Sequence, residues 1–158
     1  MGIEIERKFL VRGDGWRAGV TGKAHLRQGY LSSGAKATVR VRLVDDARAL
    51  LTLKGPLEGI SRAEFEYDVP LADGRALLAM AAPNLVEKTR YRVPHAGLEW
   101  VVDVFEGAHA GLVLAEVELA SPDESVTLPA WAGPEVTRDD RYANASLSRV
   151  PGVPGGGS

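Results

Sequence analysis

The chain has 158 residues, 45% hydrophobic and 25% charged, with a formal net charge of −2. That length and balance suit one soluble domain with a real core, and the small net charge argues against a general nucleic-acid or membrane-surface binder. Cysteine is absent, which excludes disulfides and thiolate sites. No apolar run approaches the roughly 20 residues of a membrane span and no signal-peptide stretch opens the chain, so a cytoplasmic protein is expected.

Residues 3–11 alternate at period two. Ile3, Ile5, Arg7 and Phe9 share one face of the expected strand, and Glu4, Glu6 and Lys8 share the other. Two neighbouring carboxylates repel unless something positive lies between them, and a hard divalent cation takes such oxygen ligands. Lys8 is a point charge suited to a phosphate oxygen. The bland alternative is a solvated charged face.

Trp16, between glycine-rich turns, is expected to pack on the domain body. Residues 24–31 read as a second strand, and 37–44 as a third with Arg40 and Arg42 opposite Val39, Val41 and Leu43. Residues 48–54 make a fourth strand ending in Lys54. The fifth, 61–69, sets Arg62, Glu64, Glu66 and Asp68 against Ala63, Phe65, Tyr67 and Val69. A short helix is expected over 74–82, capped by Asp73 and closed by Pro83. A sixth strand, 85–93, carries Lys88, Arg90 and Arg92 on one face, and a seventh, 98–105, carries Val101, Asp103 and Phe105. The eighth, 112–119, repeats the acidic pattern with Glu116 and Glu118. Thr137 with Asp140 three residues on resembles a capping box and predicts a helix over 138–148. Residues 1–150 form a single expected domain, and the Pro/Gly-rich 151–158 an expected flexible tail.

Eight short strands with few helices point to an antiparallel barrel or curved sheet. Two arrangements satisfy the alternation. Apolar faces inward give a carrier-like barrel with a charged coat, the commoner choice. Charged faces inward give a polar cavity, and helices and loops must then cover the apolar outside. The rows favour the second: Glu-x-Glu occurs three times beside Arg-x-Arg and Lys-x-Arg, and clustered like charges are costly unless a ligand neutralises them. Arg is also suited to bidentate phosphate contact.

The ordered set Glu4-x-Glu6-x-Lys8, Leu26-Arg27-Gln28-Gly29-Tyr30-Leu31, Arg40-x-Arg42, Lys54, Arg62-x-Glu64-x-Glu66, Glu87-Lys88-Thr89-Arg90-Tyr91, Asp103-Val104-Phe105, Glu116-Val117-Glu118 and Arg141-Tyr142-x-Asn144 resembles the CYTH superfamily, the triphosphate tunnel metalloenzymes. It spans about residues 2–148. The resemblance implies a mainly β (α+β) fold, an eight-stranded antiparallel barrel or open cup with charged residues inside, short helices outside and a C-terminal lid helix. It also implies a linear triphosphate held with Mg²⁺ or Mn²⁺. Position by position, Glu4, Glu6 and Glu118 resemble the main metal ligands. Asp103 and Glu116 resemble a second metal or water-orienting pair. Lys8, Arg40, Arg42, Lys54, Lys88 and Arg90 resemble the phosphate clamp, with Arg27 and Arg138 as weaker members. Glu64 and Glu66 are expected to hold basic residues in place or reach metal through water.

Glu4, Lys8, Lys88 and Glu116 are the implied catalytic groups, with Glu4 or Glu116 as base through water. The implied reaction is metal-assisted hydrolysis of a terminal phosphoanhydride. Among substrates, inorganic tripolyphosphate comes first, because aromatic content is only 6% and an organic headgroup would need apolar and aromatic residues at the mouth. Thiamine triphosphate or a nucleoside triphosphate comes second. A non-hydrolysing polyphosphate-binding module and a carrier with an apolar interior are the readings from other classes. The expected partner is the small anionic substrate, with no nucleic acid and no membrane, in a monomer or homodimer. One departure from longer members is that no Lys follows Lys88, which leaves closure of the tunnel open.

Overall fold

The computed structural model describes residues 2–155. The chain runs β1 (Gly2–Val11), a 3-10 turn (Gly15–Gly19), β2 (Gly22–Ser33), β3 (Thr38–Val44), β4 (Arg48–Lys54), β5 (Ser61–Val69), α1 (Leu71–Ala81), β6 (Leu85–His95), β7 (Leu98–Glu106), β8 (Val113–Glu118), β9 (Ala132–Glu135) and α2 (Asn144–Leu147). Strand order is β5-β4-β3-β2-β6-β7-β8-β1-β9, and β5 also pairs with β1. That last pairing closes an eight-stranded antiparallel barrel, so the barrel wall is closed without a late lysine. No helix among the described residues is long and apolar enough to cross a membrane.

One edge of β1 is shared. Residues 2–5 pair with β5, and Phe9 and Val11 pair with β9. Between them, Lys8 donates its backbone N–H to Thr137 Oγ1 at 3.0 Å, and its carbonyl accepts from Val136. Thr137 is thus spent on β1 and caps no helix. Asp139 takes the capping place, accepting from the Arg141 backbone N–H. Extended Ala143 then separates a 3-10 turn at Asp140–Tyr142 from α2, so the expected continuous helix over 138–148 is two short pieces. β9 has no period-two signal, only Ala-Gly-Pro-Glu, and it forms because β1 offers an unpaired edge.

The charged faces point inward. The apolar faces point outward, and separate covers bury most of them, while Ile3, Leu53, Phe65 and Tyr67 on β1, β4 and β5 stay exposed. Phe9, Val93, Trp100, Val102, Ala115 and Val117 form one outer cluster, closed over by Trp16 and by Leu119, Val126, Trp131 and Ala132. Phe9 and Trp131 each pack on Trp100 with ring centroids 5.5 Å apart. A buried side chain of this size contributes about 1.5–3 kcal/mol over an exposed one, which offsets the cost of an interior full of charge. A second outer cluster joins Val41, Leu43 and Ala49 to Leu78 of α1. The helix sits so close that a Cβ on Gly74 would lie 2.3 Å from Ala49 Cβ, and one on Gly29 2.6 Å from Ala81 Cβ. α1 begins at Leu71 rather than 74, with Pro70 preceding it and Asp73 inside its first turn, where a carboxylate meets the positive helix end.

A third cluster, Tyr30, Val86, Phe105, Leu112, Leu114, Tyr142 and Leu147, plugs one end of the barrel from inside. His109 fixes the plug through Nε2 contacts of 2.6 and 3.0 Å to the Leu147 and Val150 carbonyls. Tyr142 donates to the Pro154 carbonyl, and Gly152 N–H to Ala108. Gly152 and Pro154 of the expected tail thus bond to the body of the domain, and residues 156–158 lie outside the described residues.

Candidate active site

Alternation on the inward faces fills a cavity of about 360 Å³, lined by side chains from β1, β3, β4, β5, β6, β7 and β8 and by Asn144 of α2. Glu4, Glu6, Lys8, Arg40, Arg42, Lys54, Lys88, Arg90, Glu116 and Glu118 all reach it. The walls differ in sign. Adjacent β8, β1 and β5 supply Glu116, Glu118, Glu4, Glu6, Glu64 and Glu66, while β4, β3 and β6 supply Lys54, Arg40, Arg42, Lys88 and Arg90.

Along the wall these groups pair between strands that are adjacent or one apart. Lys54 donates to both oxygens of Glu4 at 3.1 Å and lies 3.4 Å from Glu64. Lys8 lies 3.5 Å from Glu116, and its Nζ donates to the Tyr142 carbonyl. Arg40 meets Glu66 at 3.4 Å, and Thr52 donates to the same carboxylate at 2.9 Å. Glu64 and Glu66 thus hold basic side chains, one of their expected roles.

Asp103 is fully buried. Both of its oxygens are engaged by the Arg90 fork at 2.8 and 2.9 Å, and Lys88 Nζ lies 2.7 Å away. These contacts take three of the roughly four lone-pair positions of a carboxylate, so Asp103, expected as a metal ligand, here orients two cations and does not line the cavity. The Arg27 expectation is corrected too. Leu26, Gln28 and Tyr30 take the inward face of β2, and Arg27 points out to Asp46 at 3.0 Å. Arg138 lines a second cavity of about 250 Å³ that shares Glu4, Glu6, Lys8 and Arg62 with the first, beside the β1 edge.

The electrostatics are those of a site awaiting charge. Burial, then Glu116 and Glu4, push the Glu6 carboxyl up to about 8. Glu116 goes the other way: burial opposes ionisation, but Lys8, Arg90 and Lys88 hold it well below the usual carboxylate range. Burial pushes Lys88 down to about 7, because Asp103 is shared with Arg90 and offsets only part of the cost. Burial, then Arg40 and Arg90, push Arg42 down to about 9. Arg42 has no carboxylate partner among the described residues and donates to Gln28 Oε1 at 2.9 Å. Arg40 Nε is buried with no hydrogen-bond partner.

Three inward polar residues carried no role in the sequence reading. Arg62 lines both cavities and donates to the Gly55 carbonyl. Its parity with Glu64 and Glu66 was the available signal. Gln28 and Asn144 join the plug to the clamp: Asn144 Oδ1 accepts from Lys88 at 2.9 Å and from Gln28 at 3.3 Å. A glutamine inward on a strand beside Tyr30 was a usable signal for the first, and the quoted Arg141-Tyr142-x-Asn144 motif held the second without giving it a role.

A CYTH domain profile matches residues 2–151. The chain is 42% identical over 154 residues to an inorganic triphosphatase of Acetivibrio thermocellus, covering 96% of each chain. It is 37% identical to an inorganic triphosphatase of Nitrosomonas europaea, covering 92% of this chain and 96% of that one. The crystal structure of the inorganic triphosphatase NE1496 superposes with a TM-score of 0.67 at 34% identity, covering 94% of this chain and 97% of that one. A barrel whose inward rows are the quoted motifs, matched over nearly its full length, places the chain in the CYTH domain family.

Proposed function

We propose that the tunnel binds a linear inorganic triphosphate with Mg²⁺ or Mn²⁺ and hydrolyses its terminal phosphoanhydride, as the names of the relatives suggest. The observation that carries this reading is the excess of unmet positive charge on one wall, Arg42 without an acid and Arg40 with an orphaned Nε, facing a wall of carboxylates. A polyanion answers the first and a cation the second.

The residues present fit a divalent cation. Glu4, Glu6, Glu116 and Glu118 are oxygen donors on adjacent strands, and the raised Glu6 carboxyl registers a repulsion that a cation would relieve. Bound there, a cation would neutralise phosphate charge and polarise water. Arg40, Arg42, Lys54, Lys88 and Arg90 would align the phosphates, with Lys8 at the junction of the two walls. Fixed cations in a confined site stabilise charge developing on the phosphoryl oxygens without reorganising. Lys88 and Arg90 are held in position by Asp103, and Lys88 also by Asn144. Attack by water breaks the terminal P–O bond, and the proton passes to a carboxylate. Lys8 and Arg90 hold Glu116 ionised and so make it a poor acceptor.

The test is phosphate release from tripolyphosphate, thiamine triphosphate and ATP, with Mg²⁺ and then Mn²⁺. Metal-dependent release favouring tripolyphosphate is expected. Preference for an organic triphosphate would keep the site and change the substrate. Tight binding without turnover would reduce the protein to a polyphosphate-binding module.

A further inference from the structure

The tightest group of metal-ligand side chains among the described residues lies outside the tunnel. His25, Glu87 and Glu106 bring one ligand atom each to within 4.8 Å of one another. They stand on three neighbouring strands, β2, β6 and β7. His25 and Glu87 alternate with the inward Gln28 and Lys88, and so face outward through the same wall. Glu87 and Glu106 are directly opposite across β6–β7. Like charges directly opposite on a sheet are destabilising, and neither glutamate has a Lys or Arg ion pair among the described residues. Their nearest basic candidates are engaged elsewhere: Arg27 with Asp46, and Lys88 and Arg90 inside the tunnel with Asp103.

We infer that His25, Glu87 and Glu106 form a second, exterior site for a borderline divalent cation such as Zn²⁺, distinct from the tunnel and independent of its proposed activity. The imidazole is what selects the metal class. Carboxylates alone suit Mg²⁺ or Ca²⁺, whereas a nitrogen donor with two carboxylates suits Zn²⁺ and its neighbours. The spacing is close to what is needed. His25 Nε2 is 2.7 Å from Glu87 Oε2 and 3.6 Å from Glu106 Oε1. Ligands at about 2.0–2.1 Å from a tetrahedral zinc stand roughly 3.3 Å apart, which both His25 separations bracket, and the Glu87–Glu106 pair lies within 4.8 Å. Thr89 donates to the other Glu106 oxygen at 2.6 Å, fixing the carboxylate with Oε1 toward His25, as outer hydrogen bonds do around metal ligands. The side chains are 32%, 44% and 39% exposed, leaving a fourth position for water and a path for the ion. A cation there would pin β2, β6 and β7 together behind Lys88 and Arg90.

The experiment titrates chelator-treated full-length protein with Zn²⁺, and with Co²⁺ as a spectroscopic stand-in. Wild type, His25→Ala, Glu106→Gln and the tunnel variant Glu6→Gln are compared by bound equivalents, X-ray absorption and melting temperature. The expected result is one equivalent with an imidazole nitrogen in its shell, counted beyond what the tunnel carboxylates hold. His25→Ala and Glu106→Gln should each weaken it roughly 30-fold or more, and Glu6→Gln should retain it. Saturation should raise the wild-type melting temperature by roughly 5 °C more than that of His25→Ala. If both exterior variants bind the same equivalents as wild type with unchanged affinity, the proposal is overturned, and His25 is only a hydrogen-bond partner of Glu87. Loss of the equivalent in Glu6→Gln alone would overturn it as well. Glu106→Gln keeps shape and size, so the test survives a folding defect in His25→Ala.

Discussion

Replacing Glu6 by Gln separates folding from function in this tunnel. Glu6 stands opposite Glu118 in the β1–β8 ladder and two residues from Glu4 on the same face. Its carboxyl is pushed from 4.5 to about 8, by burial first and then by Glu116 and Glu4. A carboxylate raised in the folded state ionises first in the unfolded chain. Its penalty is therefore absent below about pH 4.5, grows as pH rises, and is complete above about pH 8. At about 1.4 kcal/mol per pH unit, the ceiling is about 5 kcal/mol. Water entering the open tunnel reduces it, and we expect about 2 kcal/mol. Glutamine keeps the shape and cannot ionise. In chelator at pH 9, Glu6→Gln should melt about 4–8 °C above wild type, and at pH 5 the two should coincide. Mg²⁺ or Mn²⁺ should stabilise wild type at pH 9 and not the variant. Tripolyphosphate hydrolysis should fall by roughly 100-fold or more. The assay is a melting series from pH 5 to 9, with and without chelator, beside phosphate release. Parallel pH profiles for the two proteins in chelator would refute the reasoning, because Glu6 would then carry no strain for a metal to relieve.

Other consequences follow from the same geometry. Lys88, pushed down to about 7 by burial, is mostly neutral at pH 8, and a bound polyanion favours its charged form. Tripolyphosphate binding at pH 8 should take up about one proton, measured by calorimetry in buffers of different ionisation enthalpy, and Lys88→Met should abolish the uptake. Arg42→Ala removes a cation with no acid partner, so it should weaken tripolyphosphate roughly 10–100-fold while leaving denaturant stability unchanged or higher. Asp103→Asn does the reverse, stranding Lys88 and Arg90, and should cost about 3–5 kcal/mol in urea unfolding. Gly74→Ala sets a Cβ against Ala49 and should cost about 1–3 kcal/mol with hydrolysis at permissive temperature retained, since α1 lies outside the barrel.

Strand placement was legible because side chains alternate at period two and because Gly, Pro and Asp turns break the runs. Residues 61–69 and 48–54 read from sequence coincide with β5 and β4. Which face of each strand carries Glu, Lys or Arg follows from the same period, so most of the tunnel lining could be named before any fold was known. Which face pointed inward could not be read from alternation. That choice rests on covers distant in sequence: Trp16, α1 and the 119–132 segment bury the apolar outside. Period two also cannot say which strands are neighbours. The β5–β1 pairing that closes the barrel joins residues about sixty apart, and closure sets the acidic strands β8, β1 and β5 side by side. The fates of Asp103, Thr137 and Asn144 were likewise decided in three dimensions. Each is a short polar side chain whose partner comes from another element. Residue type alone leaves a carboxylate free to meet a metal or an arginine, and only the packed structure puts Arg90 and Lys88 against Asp103.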